Sequence, residues 1–141
     1  MIRIGKQPWE EMVAHAKATY PNECVGAMLG KVDGDEKQVT FALRLRNATE
    51  GPKGARFDLH PDDLHRTQKE ARAQGLDVVG IYHSHPDCAA YFSETDLKNS
   101  APWFCSSYVV LSIQKGEFDH ANSWLPDFEQ TQADKEELSY G

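Results

Sequence analysis

Two histidines one residue apart, His83 and His85, lie just before Pro86, and Ser93-Glu94-Thr95-Asp96 follows a short loop later. If the apolar run Leu76–Tyr82 is a strand, both imidazoles leave its end on the same face, because side chains repeat at period two. Pro86 prevents that strand from simply continuing. The loop back toward Ser93 and Asp96 can then supply a carboxylate. Two nitrogens and one oxygen make the donor set of an open catalytic zinc site, with a fourth position left for water. Each half alone has a plainer reading. H-x-H is a short pattern that arises by chance, and Ser93-x-x-Asp96 also reads as a helix N-terminus, with Ser as N-cap and an acid in the first turn.

The elements that must position these residues follow from punctuation and periodicity. Ile2 and Ile4 alternate as a short strand. Pro8, with Glu10 and Glu11 behind it, opens a helix whose apolar residues Trp9, Met12, Val13, Ala16 and Tyr20 recur at helical spacing until Pro21. Cys24–Val32 and Gln38–Arg46 flank Asp33-Gly34-Asp35 and predict a hairpin. Thr49–Ala55 is a Gly/Pro loop, and Pro61, Asp62 and Asp63 open a second helix that Gly75 closes. A third helix is expected from Ser93, ending by Pro102, and strands at Ser107–Ile113 and near Phe118–Trp124. Mixed elements of this length in one chain of 141 residues predict a single three-layer α/β domain.

Composition narrows the class of partner. The formal net charge is −7, which argues against a phosphate-binding surface and therefore against nucleic acid. Asp127, Glu129, Asp134, Glu136 and Glu137 stand against Lys135 alone, so the expected organisation is a domain over 1–126 and an acidic C-terminal tail over 127–141. No run approaches the ~20 apolar residues of a membrane span and the start has no signal-like apolar region, so a cytoplasmic protein is expected. Cys24, Cys88 and Cys105 form no C-x-x-C pair and are expected as reduced thiols. Cys88 lies in the loop between the candidate ligands, facing solvent or, alternatively, capping the open metal position as a thiolate.

The order His83-x-His85-Pro86-x₆-Ser93-x-x-Asp96 resembles the JAMM motif of the JAB/MPN metallopeptidases at every defining position. That family also places a glutamate after its first helix, and Pro21-Asn22-Glu23-Cys24-Val25-Gly26-Ala27-Met28-Leu29-Gly30 is similar to that segment, with Glu23 as the matching residue. The helix before Glu23 and the Phe57-Asp58-Leu59-His60-Pro61 entry to the second helix extend the resemblance to about Trp124. It implies a three-layer, cytidine-deaminase-like α/β fold, a mixed β-sheet flanked by helices, with one zinc ion held by His83, His85 and Asp96. It also implies catalytic roles for two further residues: Glu23 as the general base that passes a proton to the leaving amine, and Ser93 as a hydrogen-bond donor to the developing oxyanion.

Ala90-Tyr91-Phe92-Ser93-Glu94-Thr95-Asp96 resembles the A-Y-P-S-x-T-D segment of small prokaryotic members that process ubiquitin-like sulfur carriers, with Phe92 in place of proline. Those members often have Thr where this chain has Pro86. The implied activity is hydrolysis of the amide bond after the C-terminal Gly-Gly of a ubiquitin-like sulfur-carrier protein. The alternatives are a deubiquitinase-like isopeptidase and a non-catalytic MPN scaffold. Two rivals fit less well. The H-x-H-x-D-H motif of metallo-β-lactamase-like hydrolases fails because Cys88 stands where its last histidine is needed, and the zinc deaminases need a P-C-x-x-C that is missing here. His15, His60, His65 and His120 show no ligand spacing and receive no role.

Overall fold

The computed structural model describes residues 1–54 and 56–141. In chain order the elements are β1 (Ile2–Ile4), α1 (Lys6–Thr19), β2 (Val25–Asp33), β3 (Glu36–Leu45), α2 (Pro61–Gln74), β4 (Asp77–Pro86), α3 (Glu94–Asn99), β5 (Ser107–Gln114), β6 (Glu117–Pro126), β7 (Ala133–Glu136) and β8 (Leu138–Tyr140). The strands form one mixed sheet in the order β7-β6-β5-β4-β2-β3-β1-β8. β4 runs parallel to β5, and β1 parallel to both β3 and β8, while the remaining pairs are antiparallel.

Alternation along the strands divides the core in two. Met28, Val39, Tyr82, Val109 and Leu111 face α1, where Trp9, Met12 and Ala16 complete one cluster. Val25, Ala27, Ile81 and Tyr108 face the other way, into a cluster with Leu45, Phe57 and Cys105. This is the expected mixed sheet flanked by helices. α1 begins at Lys6, with Gly5 as N-cap, so Glu10 and Glu11 fall beyond the first turn and do not serve its dipole as expected. α2 opens at Pro61 and closes on Gly75 in the left-handed conformation at φ 65°, where a glycine carries no Cβ penalty.

Residues 127–141, expected as an acidic tail, supply β7 and β8. Only Glu137 separates these two strands, yet they lie at opposite ends of the sheet order, so the sheet coils far enough to bring its edges together; the Ile2 amide donates to the Glu137 carbonyl at 2.9 Å. Leu138 packs on the first core cluster, Tyr140 stacks on Trp9 at 4.0 Å, and a buried ion pair holds β7. Glu136 Oε2 lies 2.7 Å from Lys37 Nζ, and Glu136 Oε1 accepts from Ser107 and Ser123 hydroxyls at 2.8 and 2.9 Å. A buried carboxylate demands such partners, and β3, β5 and β6 provide them. Among the described residues no helix is long and apolar enough to cross a membrane.

Candidate metal centre

β4 extends to Pro86, four residues past the expected end at Tyr82, because a proline can close a strand whose partner asks nothing of its missing N–H. His83 and His85 therefore lie within the strand, on the face of Ile81, while Tyr82 and Ser84 face α1. Antiparallel pairing of Val25 with His83 continues outward to set Cys24 beside Ser84 and Glu23 beside His85. Two hydrogen bonds confirm that continuation: the Cys24 amide donates to Ser84 Oγ at 2.8 Å, and the Ser84 amide to the Cys24 carbonyl at 3.3 Å. Period two thus gives the two histidines to the site and uses the serine between them to fix the approach of Glu23.

Glu23 is held by its backbone on both sides. Its amide donates to the Lys53 carbonyl at 2.6 Å, and its carbonyl accepts from Asn47 Nδ2 at 3.2 Å. Asn47 also donates to the Arg56 carbonyl and accepts from the Thr49 and Asp58 amides, so one side chain organises the loop beside the site. Nothing in the local pattern around Asn47 advertises this, since its partners lie up to 24 residues away.

Asp96 arrives from α3. Ser93 is the N-cap, and a reciprocal capping box with Asp96 fixes the carboxylate in the first turn. The helix-N-terminus reading of Ser93-x-x-Asp96 holds, and the cap aims the acid at the two histidines. Asp96 Oδ2 lies 3.0 Å from His85 Nε2 and 3.2 Å from His83 Nε2. Glu23, His83, His85 and Asp96, all buried, bring one donor atom each to within 4.8 Å of one another. Cys88 does not join them. Its carbonyl accepts from Ser112 Oγ at 2.6 Å, and its thiol stays outside the group. Phe57 and Phe92 pack on His83 at ring-centre distances of 4.5 and 6.3 Å, and Tyr91 on His85 at 5.1 Å.

The donor set fits a divalent cation on chemical grounds. His85 Nδ1 faces the Ala89 carbonyl at 2.9 Å, an acceptor only, so Nδ1 carries a proton. In the neutral ring Nε2 is then a lone pair pointed at a carboxylate oxygen. Among the described residues both nitrogens of His83 and Oε1 of Glu23 are buried without a hydrogen-bond partner, and a cation would answer the one imidazole nitrogen that is an acceptor, together with the carboxylate. Buried acceptors facing one another are costly unless a cation stands between them. Separations of 3.0 and 3.2 Å are close to the edge of a tetrahedron with bonds of about 2.0–2.1 Å, the zinc–nitrogen and zinc–oxygen range.

The charge states split. Burial pushes His83 toward the neutral ring that a cation needs and pushes Glu23 up to about 8, whereas the Asp96 carboxylate favours a proton on His85 that a bound cation would have to displace. Burial also opposes charge on His85 and Asp96, but the pair overcomes it: His85 is raised by Asp96, and Asp96 is held well below the usual carboxylate range by His83 and His85.

Residues 6–126 match the family described as prokaryotic homologs of the JAB domain. The chain is 32% identical over 130 residues to the desampylase of Haloferax volcanii, covering 89% of each protein. It is 34% identical over 87 residues to the CysO-cysteine peptidase of Mycobacterium bovis, covering 62% of this chain and 57% of that one. A solution structure from Desulfitobacterium hafniense superposes with a TM-score of 0.84 at 30% identity, over 100% of this chain and 93% of that one.

Proposed function

We propose that this chain, which belongs to the family of prokaryotic homologs of the JAB domain, cleaves the amide bond that follows the C-terminal Gly-Gly of a ubiquitin-like sulfur-carrier protein. The chain is a JAMM-type hydrolase; the substrate and the residue roles are our reading. In that reading His83, His85 and Asp96 hold one zinc ion through Nε2, Nε2 and Oδ2. When bound, zinc supplies a Lewis acid and lowers the pKa of a water molecule to about 7.

Glu23 does the proton work. Its unpartnered, buried Oε1 takes a proton from the attacking water, and the same oxygen returns it to the leaving nitrogen as the C–N bond breaks. Burial pushes this carboxyl above the ordinary carboxylate range, which strengthens it as a proton acceptor. Ser93 Oγ already accepts the Asp96 amide at 3.0 Å, which leaves its hydroxyl proton free to be given to the carbonyl oxygen of the scissile bond. Phe57, Phe92 and Tyr91 wall the histidines and limit water beside them.

The single observation that carries this reading is the convergence of four buried donors on one point beside a capped serine. The substrate class is supported by the two relatives, a desampylase and a CysO-cysteine peptidase. Mass spectrometry of candidate carriers incubated with zinc-loaded protein tests it, with Glu23→Gln as the inactive control. The expected product is a carrier ending in Gly-Gly. Cleavage of ubiquitin isopeptide chains with the carriers intact would place the chain among deubiquitinase-like isopeptidases, and no cleavage of any tail would favour a scaffold.

A further inference from the structure

The loop between His85 and α3 is tied to β5 through Asp87 and Cys88 and to β6 through Ala90. On β6, His120, Asn122 and Trp124 stand at period two and share a face, and all three bond to Ala90. The Ala90 amide donates to His120 Nε2 at 3.1 Å, and the Ala90 carbonyl accepts from Asn122 Nδ2 at 3.2 Å and from Trp124 Nε1 at 3.1 Å. Ala90 itself is fully buried.

The amide of Ala90 and the carbonyl of Ala89 belong to one planar peptide unit. That carbonyl is the acceptor for His85 Nδ1 at 2.9 Å. His120 and His85 therefore grip opposite sides of the same rigid plane. Because His120 Nε2 accepts, its proton sits on Nδ1, where it is donated to Asp119 Oδ2 at 2.6 Å. A continuous line runs from Asp119 through His120 and the Ala89–Ala90 peptide to His85, and it ends by holding a proton on His85 Nδ1, so that Nε2 is the nitrogen left to a metal when the ring is neutral. Partners of this kind fix the tautomer and ring orientation of metal-bound histidines.

We propose that His120 is a positioning residue for the metal centre, acting on His85 through the Ala89–Ala90 peptide. The inference rests on the reading of His85 as a ligand. The side chain of His120 is 40% exposed, so its replacement leaves no core cavity.

Metal affinity, measured on chelator-stripped protein by competition for Zn²⁺ and by the visible spectrum on Co²⁺ addition, tests the proposal without reference to turnover. His120→Ala is expected to weaken zinc binding about 10–100-fold and to change the cobalt spectrum, with a modest loss of metal-free thermal stability from the unpaired Ala90 amide. His120→Gln, whose Oε1 can accept the Ala90 amide, should restore most of the affinity. His120→Ala binding zinc as the parent does, or His120→Gln failing as badly as His120→Ala, would overturn it. His85→Ala separates the two levels. If it loses zinc while His120→Ala does not, this inference alone falls; if it keeps zinc, the ligand assignment falls and takes the inference with it.

Discussion

Ser93 and Asp96 hold each other twice: Ser93 Oγ accepts from the Asp96 amide at 3.0 Å, and Asp96 Oδ2 accepts from the Ser93 amide at 3.1 Å. That carboxylate oxygen is also the one that faces both histidines. The serine is thus a helix cap by structure and a hydrogen-bond donor by proposal, and two substitutions separate the roles. Ser93→Ala should cost about 1 kcal/mol of stability and lower kcat about 10²–10³-fold. Ser93→Asn, which can still cap, should regain the stability and not the rate. Thermal unfolding and kcat on a carrier substrate measure both, and recovery of the rate in Ser93→Asn would reduce the serine to a cap.

Asp96→Ala and Glu23→Gln should part company in a metal analysis. Loss of Asp96 removes an anionic donor from the zinc set and should empty the site. Glu23→Gln keeps the shape and removes the proton acceptor, so it should retain one zinc per chain while turnover falls at least ~10²-fold. Equal zinc loss in the two variants would erase the distinction between ligand and base.

Glu136 neutralises Lys37 in the interior, with the two charges 2.7 Å apart. Glu136→Ala leaves a buried ammonium with only the Ser107 hydroxyl beside it, and should cost about 3–5 kcal/mol in urea unfolding. The double variant Lys37→Met/Glu136→Met should recover most of that loss. A Glu136→Ala variant as stable as the parent would mean that the buried ion pair adds nothing net to the fold.

Burial, aided by the Arg44 charge, lowers His15 from the ordinary 6.5 to about 4, and its Nδ1 lies 2.7 Å from the Tyr82 hydroxyl. Between those two values the unfolded chain binds more protons than the folded one. The contribution of neutral His15 is therefore complete above pH 6.5 and lost as the pH falls toward 4. The stability difference between the parent and His15→Gln should shrink by about 2 kcal/mol from pH 7 to pH 4, a figure reduced for partial solvent screening. A constant difference across that range, measured by denaturation of metal-free protein, would show that His15 does not titrate in the window.

What the sequence makes legible is what local rules decide. His83 and His85 share a face because period two needs only a strand; α2 runs from Pro61 to Gly75 because its start and stop signals lie within it; Ser93 caps because Asp96 is three residues on. What stays hidden depends on distant partners. Glu136 reads as one acid in a solvated run until Lys37, 99 residues away, neutralises it. Asn47 and His120 look like surface residues until a loop carbonyl and a peptide plane arrive beside them. Even Ser84, whose opposite facing follows from the same alternation, needs the β2–β4 register before its bond to the Cys24 amide can be named.

β4 pairs on both flanks, with β2 and with β5, whereas α3 is six residues long and its last carbonyls are held by a side chain, Gln130 Nε2, at 2.8–3.1 Å. Amide hydrogens along β4 should therefore exchange with deuterium only through opening of the whole sheet, and those of α3 through brief local fraying. The two histidines and the aspartate consequently belong to regions that open on different clocks. An ion held by all three would depart when Asp96 swings away while both imidazoles stay put, so its exchange with bulk metal should run faster than unfolding of the chain.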